Sequence, residues 1–130
     1  MTTKEDVLAY VTEQQRQVHL ASYRPIYEIV MIEHADKELI YPNSKHSGFP
    51  DMGASSEIGF YYSIDSAINA LESNACDLRE NIYDAGFILC RFPGLYESVS
   101  RAARMYFVWD ADEEGYIQKE EPLIFKHIGL

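Results

Sequence analysis

Apolar and polar positions follow a helical period most clearly in the middle of the chain. Ser63 can cap the first turn of a helix there, and Asp65 adds the negative charge that a helix N-terminus favours. Apolar side chains then recur at intervals of three and four residues, which is one face of an α-helix: Ile64, Ile68, Leu71, Ala75, Leu78 and Ile82. The pattern predicts one principal amphipathic helix over about residues 63–82.

Strands are predicted on both sides of this helix. The segment 59–62 has the aromatic bias of a strand, and 87–92 is an apolar run that follows Gly86. Two such strands can be parallel neighbours joined by a right-handed crossover, or non-adjacent strands of a mixed sheet. The sequence leaves both arrangements open.

Further alternation predicts the rest of the sheet. In 26–34, Tyr27, Ile29 and Met31 would face one side of a first strand, and Glu28 interrupts the other side. Residues 105–109 read as a strand that ends at an acidic turn, 110–115, and 116–119 can return antiparallel as a hairpin.

The N-terminal region and one long connection complete the outline. Thr3 and Asp6 have the spacing of a capping box, which predicts a smaller helix over about residues 3–19. Residues 41–56 are rich in Pro, Gly and Ser without periodicity, which predicts a long surface loop. We therefore expect a single α+β domain with a four- or five-stranded, mostly antiparallel sheet and the principal helix packed on one face.

Charge and composition argue against some classes of binding partner and favour one cellular location. The net charge of −10 opposes direct binding to nucleic acid, which needs clustered basic residues. It is compatible with ordinary solubility or with mimicry of a phosphate array. No apolar run is long enough to span a bilayer, and no signal peptide is visible, so we expect no membrane partner. Cys76 and Cys90 are too few for a disulfide framework, which favours reduced thiols and a cytoplasmic location.

No catalytic, cofactor or metal site is predicted. The chain has no G-x-S-x-G element and no glycine-rich phosphate loop. His34 with Asp36, and His46 with Asp51, fall short of the three or four converging ligands that a metal needs. An enzyme of another type would need a perturbed acid or base that no spacing here indicates.

Arginines form a local exception to the acidity. Arg101 and Arg104 are three residues apart and can meet on a helical turn, and Arg91 lies on the neighbouring predicted strand. Together with Tyr106, these side chains could bind the phosphate or carboxylate of a small ligand. The alternative is salt bridging to Glu97, Asp110 or the acidic hairpin turn.

Aromatic residues are the last compositional signal. Ten tyrosines lie mostly near the predicted sheet, and tyrosine and tryptophan are enriched where proteins bind each other. The candidate interface residues are Tyr61, Tyr62, Trp109 and Tyr116. They would contact a protein partner or a second copy in a homodimer.

Residues 57–128 carry a loose resemblance. The order of their sequence segments is GFYYSIDSAINALESNACDLREN, YDAGFILCRFPGLY, MYFVWD, GYIQKEEP and FKHI. It resembles a pattern found in short bacterial and phage-associated proteins. The resemblance implies a small intracellular accessory protein and brings no activity, cofactor or catalytic residue with it.

Three hypotheses follow, in order. The first is a non-enzymatic protein-interaction module that uses an aromatic sheet face or the 41–56 loop, with phosphate mimicry as a special case. The second is a binder of a small anionic ligand through the arginine cluster. The third is an enzyme of undefined type.

Overall fold

The computed structural model describes residues 1–16, 23–35, 39–41, 52–75, 83–92 and 103–127. Three helices lie within these ranges: α1 (Lys4–Gln15), α2 (Ile64–Glu72) and α3 (Leu123–His127). The five strands are β1 (Ile26–Ala35), β2 (Met52–Tyr61), β3 (Tyr83–Arg91), β4 (Met105–Asp110) and β5 (Gly115–Lys119). None of the helices in the described ranges is long and apolar enough to cross a bilayer.

The strands form one antiparallel sheet in the order β2-β1-β3-β4-β5. This confirms the predicted α+β class and the antiparallel sheet. β1 lies between β2 and β3, so the two strands that flank α2 are not neighbours, and the alternative of parallel neighbours is wrong. Both strands run antiparallel to β1, and the chain crosses β1 on its way from one to the other.

Both faces of the sheet are covered. One face, called here the α1/α2 face, packs against the two longer helices, and its core includes Val7, Met31, Leu71, Phe107 and Tyr116. The opposite face, called here the α3 face, packs against the short C-terminal helix and residues 39–41; its core includes Val30, Ile32, Phe87, Tyr106 and Phe125. The alternation predicted for Tyr27, Ile29 and Met31 is confirmed, since all three lie in the α1/α2 core.

α1 begins with the predicted capping box. The backbone N–H of Asp6 donates to Thr3 Oγ1 at 3.1 Å, and the backbone N–H of Thr3 donates to Asp6 Oδ2 at 2.8 Å. These hydrogen bonds lower the pKa of the Asp6 carboxyl, with the backbone N–H of Thr3 as the largest cause. The helix ends at Gln15, and residues 17–19 of the predicted span lie outside the described part of the chain.

α2 is shorter than predicted. It ends at Glu72 with Ser73 as the C-cap, and Asn74 has a φ of 50°. Asparagine tolerates this left-handed conformation, which closes the helix although the apolar period of the sequence continues. Ser63 occupies the N-cap position as predicted, but its side chain makes no capping hydrogen bond. Residues 76–82 of the predicted helix lie outside the described ranges.

The predicted loop at 41–56 is also shorter than expected. β2 begins at Met52, so the last five residues of that segment pair with β1 instead. Its small residues can do so because backbone pairing requires no large side chain. Residues 42–51 lie outside the described part of the chain.

The β4–β5 hairpin agrees with the prediction. Its strands are joined by an acidic turn in which Asp110 Oδ1 accepts the backbone N–H groups of Asp112 and Glu113 at 2.9 and 3.1 Å. Glu114 adopts a φ of 52°, which turns the chain into β5.

Candidate functional site

Arg104 lies immediately before β4 and is buried on the α3 face. Only 9% of its surface is exposed, and its guanidinium carbon lies 4.7 Å from the centre of the Phe87 ring. This is a cation–π contact with a core aromatic residue, which is itself 2% exposed. The arrangement fixes the charged head group inside the protein instead of letting it extend into water.

The Arg104 guanidinium is not fully satisfied by protein atoms. Nε and Nη1 are buried, and neither has a hydrogen-bond acceptor among the residues that the structure describes. Removing a charged donor from water without a partner costs several kcal/mol, on the order of 3–5 when one member of a buried pair is missing. Such a group calls for a physical explanation.

A cavity of about 390 Å³ opens beside Arg104. It is lined by Arg104 and Tyr106, by the N-terminal segment, and by the end of β5 with its continuation: Met1, Thr2, Asp6, Lys119, Glu120 and Glu121. Gln118 holds the two walls together, because its side-chain amide donates to the carbonyl of Thr2. Arg104 therefore forms part of the cavity wall, although its Nε and Nη1 are themselves shielded from solvent.

Charges of both signs line this cavity. Lys119 adds a second cation beside Arg104, whereas Asp6, Glu120 and Glu121 are acidic. Asp6 is already engaged in the capping box of α1, and the Glu120 side chain is 85% exposed to water. Of the charged side chains that line the cavity, Arg104 and Lys119 are therefore the ones that can attract an anion.

Arg91 and Glu28 form a second charged group on the same face. Glu28 is 8% exposed, and its Oε1 lies 3.5 Å from Arg91 Nε. Burial raises the pKa of the Glu28 carboxyl; Arg91 opposes that shift, and the nearby Glu57 adds to it. Arg91 is therefore engaged with an internal carboxylate, as in the salt-bridge alternative, although the partner is Glu28.

Three of the four residues predicted for the anion site lie in the described part of the chain. Arg104 and Tyr106 line one cavity, and Arg91 lies on the same face of the sheet, where it pairs with Glu28. Arg101 lies outside the described residues. The sequence correctly located Glu28 as an interruption of an apolar face, but it gave no signal that this carboxylate would pair with Arg91. Lys119 was missed because only the hairpin return carries it to the cavity.

The predicted interface residues do not form one exposed surface. Tyr116 is fully buried and donates its hydroxyl hydrogen to the carbonyl of Tyr83 at 2.7 Å. Trp109 packs edge-on against Tyr116 with ring centres 5.3 Å apart, and Tyr61 is half-buried against the α1/α2 core. Tyr62 is 56% exposed, and the interface role of all four residues stays a prediction.

A more apolar cavity of about 510 Å³ lies next to β4 and β5. Residues 39–41 form one wall, and Val108, Ile117 and Leu123 contribute apolar surface. The Tyr41 hydroxyl anchors that wall, since it lies 3.2 Å from the Trp109 carbonyl and 3.3 Å from Asp84 Oδ1. This cavity shares Lys119, Glu120 and Glu121 with the Arg104 cavity.

Groups suited to covalent or metal chemistry are not assembled in the described ranges. Cys90 is fully buried, and burial raises the pKa of its thiol to about 12, which disfavours the nucleophilic thiolate. Within those ranges no three His, Cys, Asp or Glu side chains converge as metal ligands.

Comparison with known proteins finds no family model that matches the chain, no similar curated protein and no similar solved structure.

Proposed function

We propose that this protein binds a small ligand through a phosphate or carboxylate group at Arg104. The observation that carries the proposal is the buried guanidinium, whose Nε and Nη1 find no acceptor in the described part of the chain. Sequence patterns placed a protein-interaction role first, and the geometry of Arg104 supports placing the small-ligand role above it.

The chemistry of the guanidinium favours an oxyanion. Arginine presents its N–H groups as a planar fork that matches two oxygens of a carboxylate or phosphate. The guanidinium carbon lies 4.7 Å from the centre of the Phe87 ring, and this contact restricts the fork before a ligand binds. A pre-oriented side chain loses little rotamer freedom on binding, which favours affinity.

The overall charge supports a small ligand. The net charge of −10 creates a repulsive field for a long polyanion such as nucleic acid. A single phosphate or carboxylate can instead be bound by the local field of Arg104 and Lys119 within the cavity. Since about 390 Å³ is available, the cavity limits the ligand to the size of a small metabolite.

Titration calorimetry tests this proposal directly, with inorganic phosphate, pyrophosphate and citrate as the three probes. We expect at least one probe to bind the wild type. Arg104→Met should weaken that binding about tenfold or more, because a hydrogen bond to a charged group contributes about 1.5–3 kcal/mol. Arg104→Lys should give an intermediate affinity, since lysine keeps the charge and loses the fork.

The matched control is Arg16→Met. Arg16 carries the same charge, but it is exposed at the end of α1 and pairs with Glu13. Its replacement should leave the affinity unchanged. Equal binding by wild type and Arg104→Met, or no binding of any probe by the wild type, would refute the proposal.

A further inference from the structure

The edge strand β2 exposes a cluster of large apolar side chains. Phe60 is 53% exposed, Tyr62 is 56% exposed and Ile58 is 37% exposed. The rings of Phe60 and Tyr62 contact each other edge to face, with centres 5.8 Å apart and an angle of 82° between their planes. Adjacent exposed aromatic residues of this kind are typical of contact surfaces, unlike single scattered ones.

The backbone of β2 is equally suited to pairing. β2 is an end strand of the sheet and pairs with β1 alone among the described strands. It is ten residues long, and its sequence contains one charged residue, Glu57, and neither Lys nor Pro. Edge strands usually carry such residues to prevent association, so their scarcity here leaves a template for another strand.

A β-bulge lies within the exposed cluster of Ile58, Phe60 and Tyr62. Ile29 pairs with Gly59 and Val30 pairs with Glu57, so Ile58 is the extra residue on β2. A bulge bends its strand and increases the local twist. Phe60 lies in the short part of β2 after the bulge, and Tyr62 directly follows the end of the strand.

Opposite charges lie at the two ends of this segment. The Arg24 guanidinium lies over the Tyr62 ring at 4.6 Å from its centre, and Glu57 lies before the bulge. These two residues form no ion pair with each other within the described chain. Antiparallel pairing of two identical strands brings the first end of one against the last end of the other, so this charge pattern is self-complementary.

We propose that the partner of this surface is a second copy of the chain, with the 58–62 segments of the two copies antiparallel about a two-fold axis near Phe60. Ile58, Phe60 and Tyr62 of both copies form the apolar centre. Arg24 of each copy lies against Glu57 of the other. A symmetric contact of this kind uses the same patch twice and closes after two chains.

Electrostatic repulsion between two copies of the chain requires that the contact surface itself be locally neutral. Each chain carries a net charge of −10, so two copies repel each other at a distance. An acidic edge could not overcome that repulsion. The β2 patch is apolar at its centre and balanced at its ends, which removes the local part of the penalty.

Sedimentation equilibrium gives the first test. We expect the wild type to reach twice the 15.0 kDa chain mass and Phe60→Asp to stay at the mass of one chain. The control is Leu123→Asp, because Leu123 is 54% exposed but lies on α3; it should dimerise like the wild type. A monomeric wild type, or a dimer that tolerates Phe60→Asp, overturns the proposal.

A charge exchange gives the second test and fixes the geometry. Arg24→Glu and Glu57→Arg alone should each weaken dimerisation about tenfold, because each creates a like-charge contact across the axis. The double variant carrying both changes should dimerise more tightly than either single variant. If the double variant is no tighter than the weaker single one, the antiparallel arrangement about Phe60 is wrong.

Discussion

At the scale of single residues, Glu28 is a buried carboxylate whose charge the fold only partly compensates. Its pKa is raised by burial, and Arg91 at 3.5 Å opposes the shift without cancelling it. The folded state therefore holds the Glu28 proton more tightly than the unfolded chain does. Ionisation of this group favours unfolding.

The raised pKa of Glu28 makes the stability of the folded protein depend on pH. Its penalty is absent below the ordinary carboxyl pKa of 4.5 and grows as the pH rises through the raised pKa of the folded protein. Glu28→Gln should remove this loss, so the variant should gain stability relative to the wild type as the pH rises. Urea unfolding from about pH 4 to about pH 8 measures the difference.

The control for that series is Glu113→Gln, which removes one negative charge from an exposed position in the β4–β5 turn. This variant should not gain stability relative to the wild type as the pH rises. A Glu28→Gln variant that instead loses stability at neutral pH would show that the contact with Arg91 outweighs the cost of burial.

At the scale of elements, the tip of the β4–β5 hairpin lies directly against the end of α2. A side chain at Gly115 would collide with the carbonyl oxygen of Glu72, so the close approach requires glycine. Gly115→Ala should force α2 and β5 apart and reduce the free energy of unfolding by about 1–3 kcal/mol. Denaturant unfolding followed by circular dichroism measures this change.

Gly59 offers a matched control on β2, because a Cβ there would meet no atom within 4 Å. Gly59→Ala should leave stability unchanged or raise it slightly by restricting the unfolded chain. If both alanine variants unfold at the same denaturant concentration, Gly115 does not limit the packing of α2.

Local sequence patterns predicted individual elements better than their ends. The capping box at Thr3 and Asp6 and the acidic turn after β4 both formed, since each depends on residues close in sequence. The end of α2 was misplaced because the apolar period continues past Glu72, while Asn74 turns the backbone out of the helix. Periodicity shows which face would be buried, but it does not show where a helix ends.

At the scale of the whole molecule, the order of the strands could not be predicted from the sequence. The patterns of β2, α2 and β3 are the same whether β1 lies outside them or between them. The same limit applies to the candidate site. Arg104 and Tyr106 were identified from their types and spacing, but their cavity also needs Lys119 and the N-terminal segment, which only the tertiary fold brings near.

On the proposed function, burial of Arg104 serves anion binding and contributes no net stability to the protein without ligand. Replacement of a buried, unpaired charge by an apolar side chain is often neutral or stabilising, by about 1–4 kcal/mol when well packed. Methionine can also keep a favourable contact with the Phe87 ring. Arg104→Met should therefore be at least as stable as the wild type without ligand.

The most direct measurement is the free energy of unfolding of wild type and Arg104→Met, each with and without phosphate. Phosphate should stabilise the wild type, by about 2.7 kcal/mol at a hundred times its dissociation constant. It should leave Arg104→Met unchanged, and that variant should match or exceed the wild type in phosphate-free buffer. A variant several kcal/mol less stable than the wild type, together with no effect of phosphate on either protein, would contradict the account and make Arg104 a structural residue.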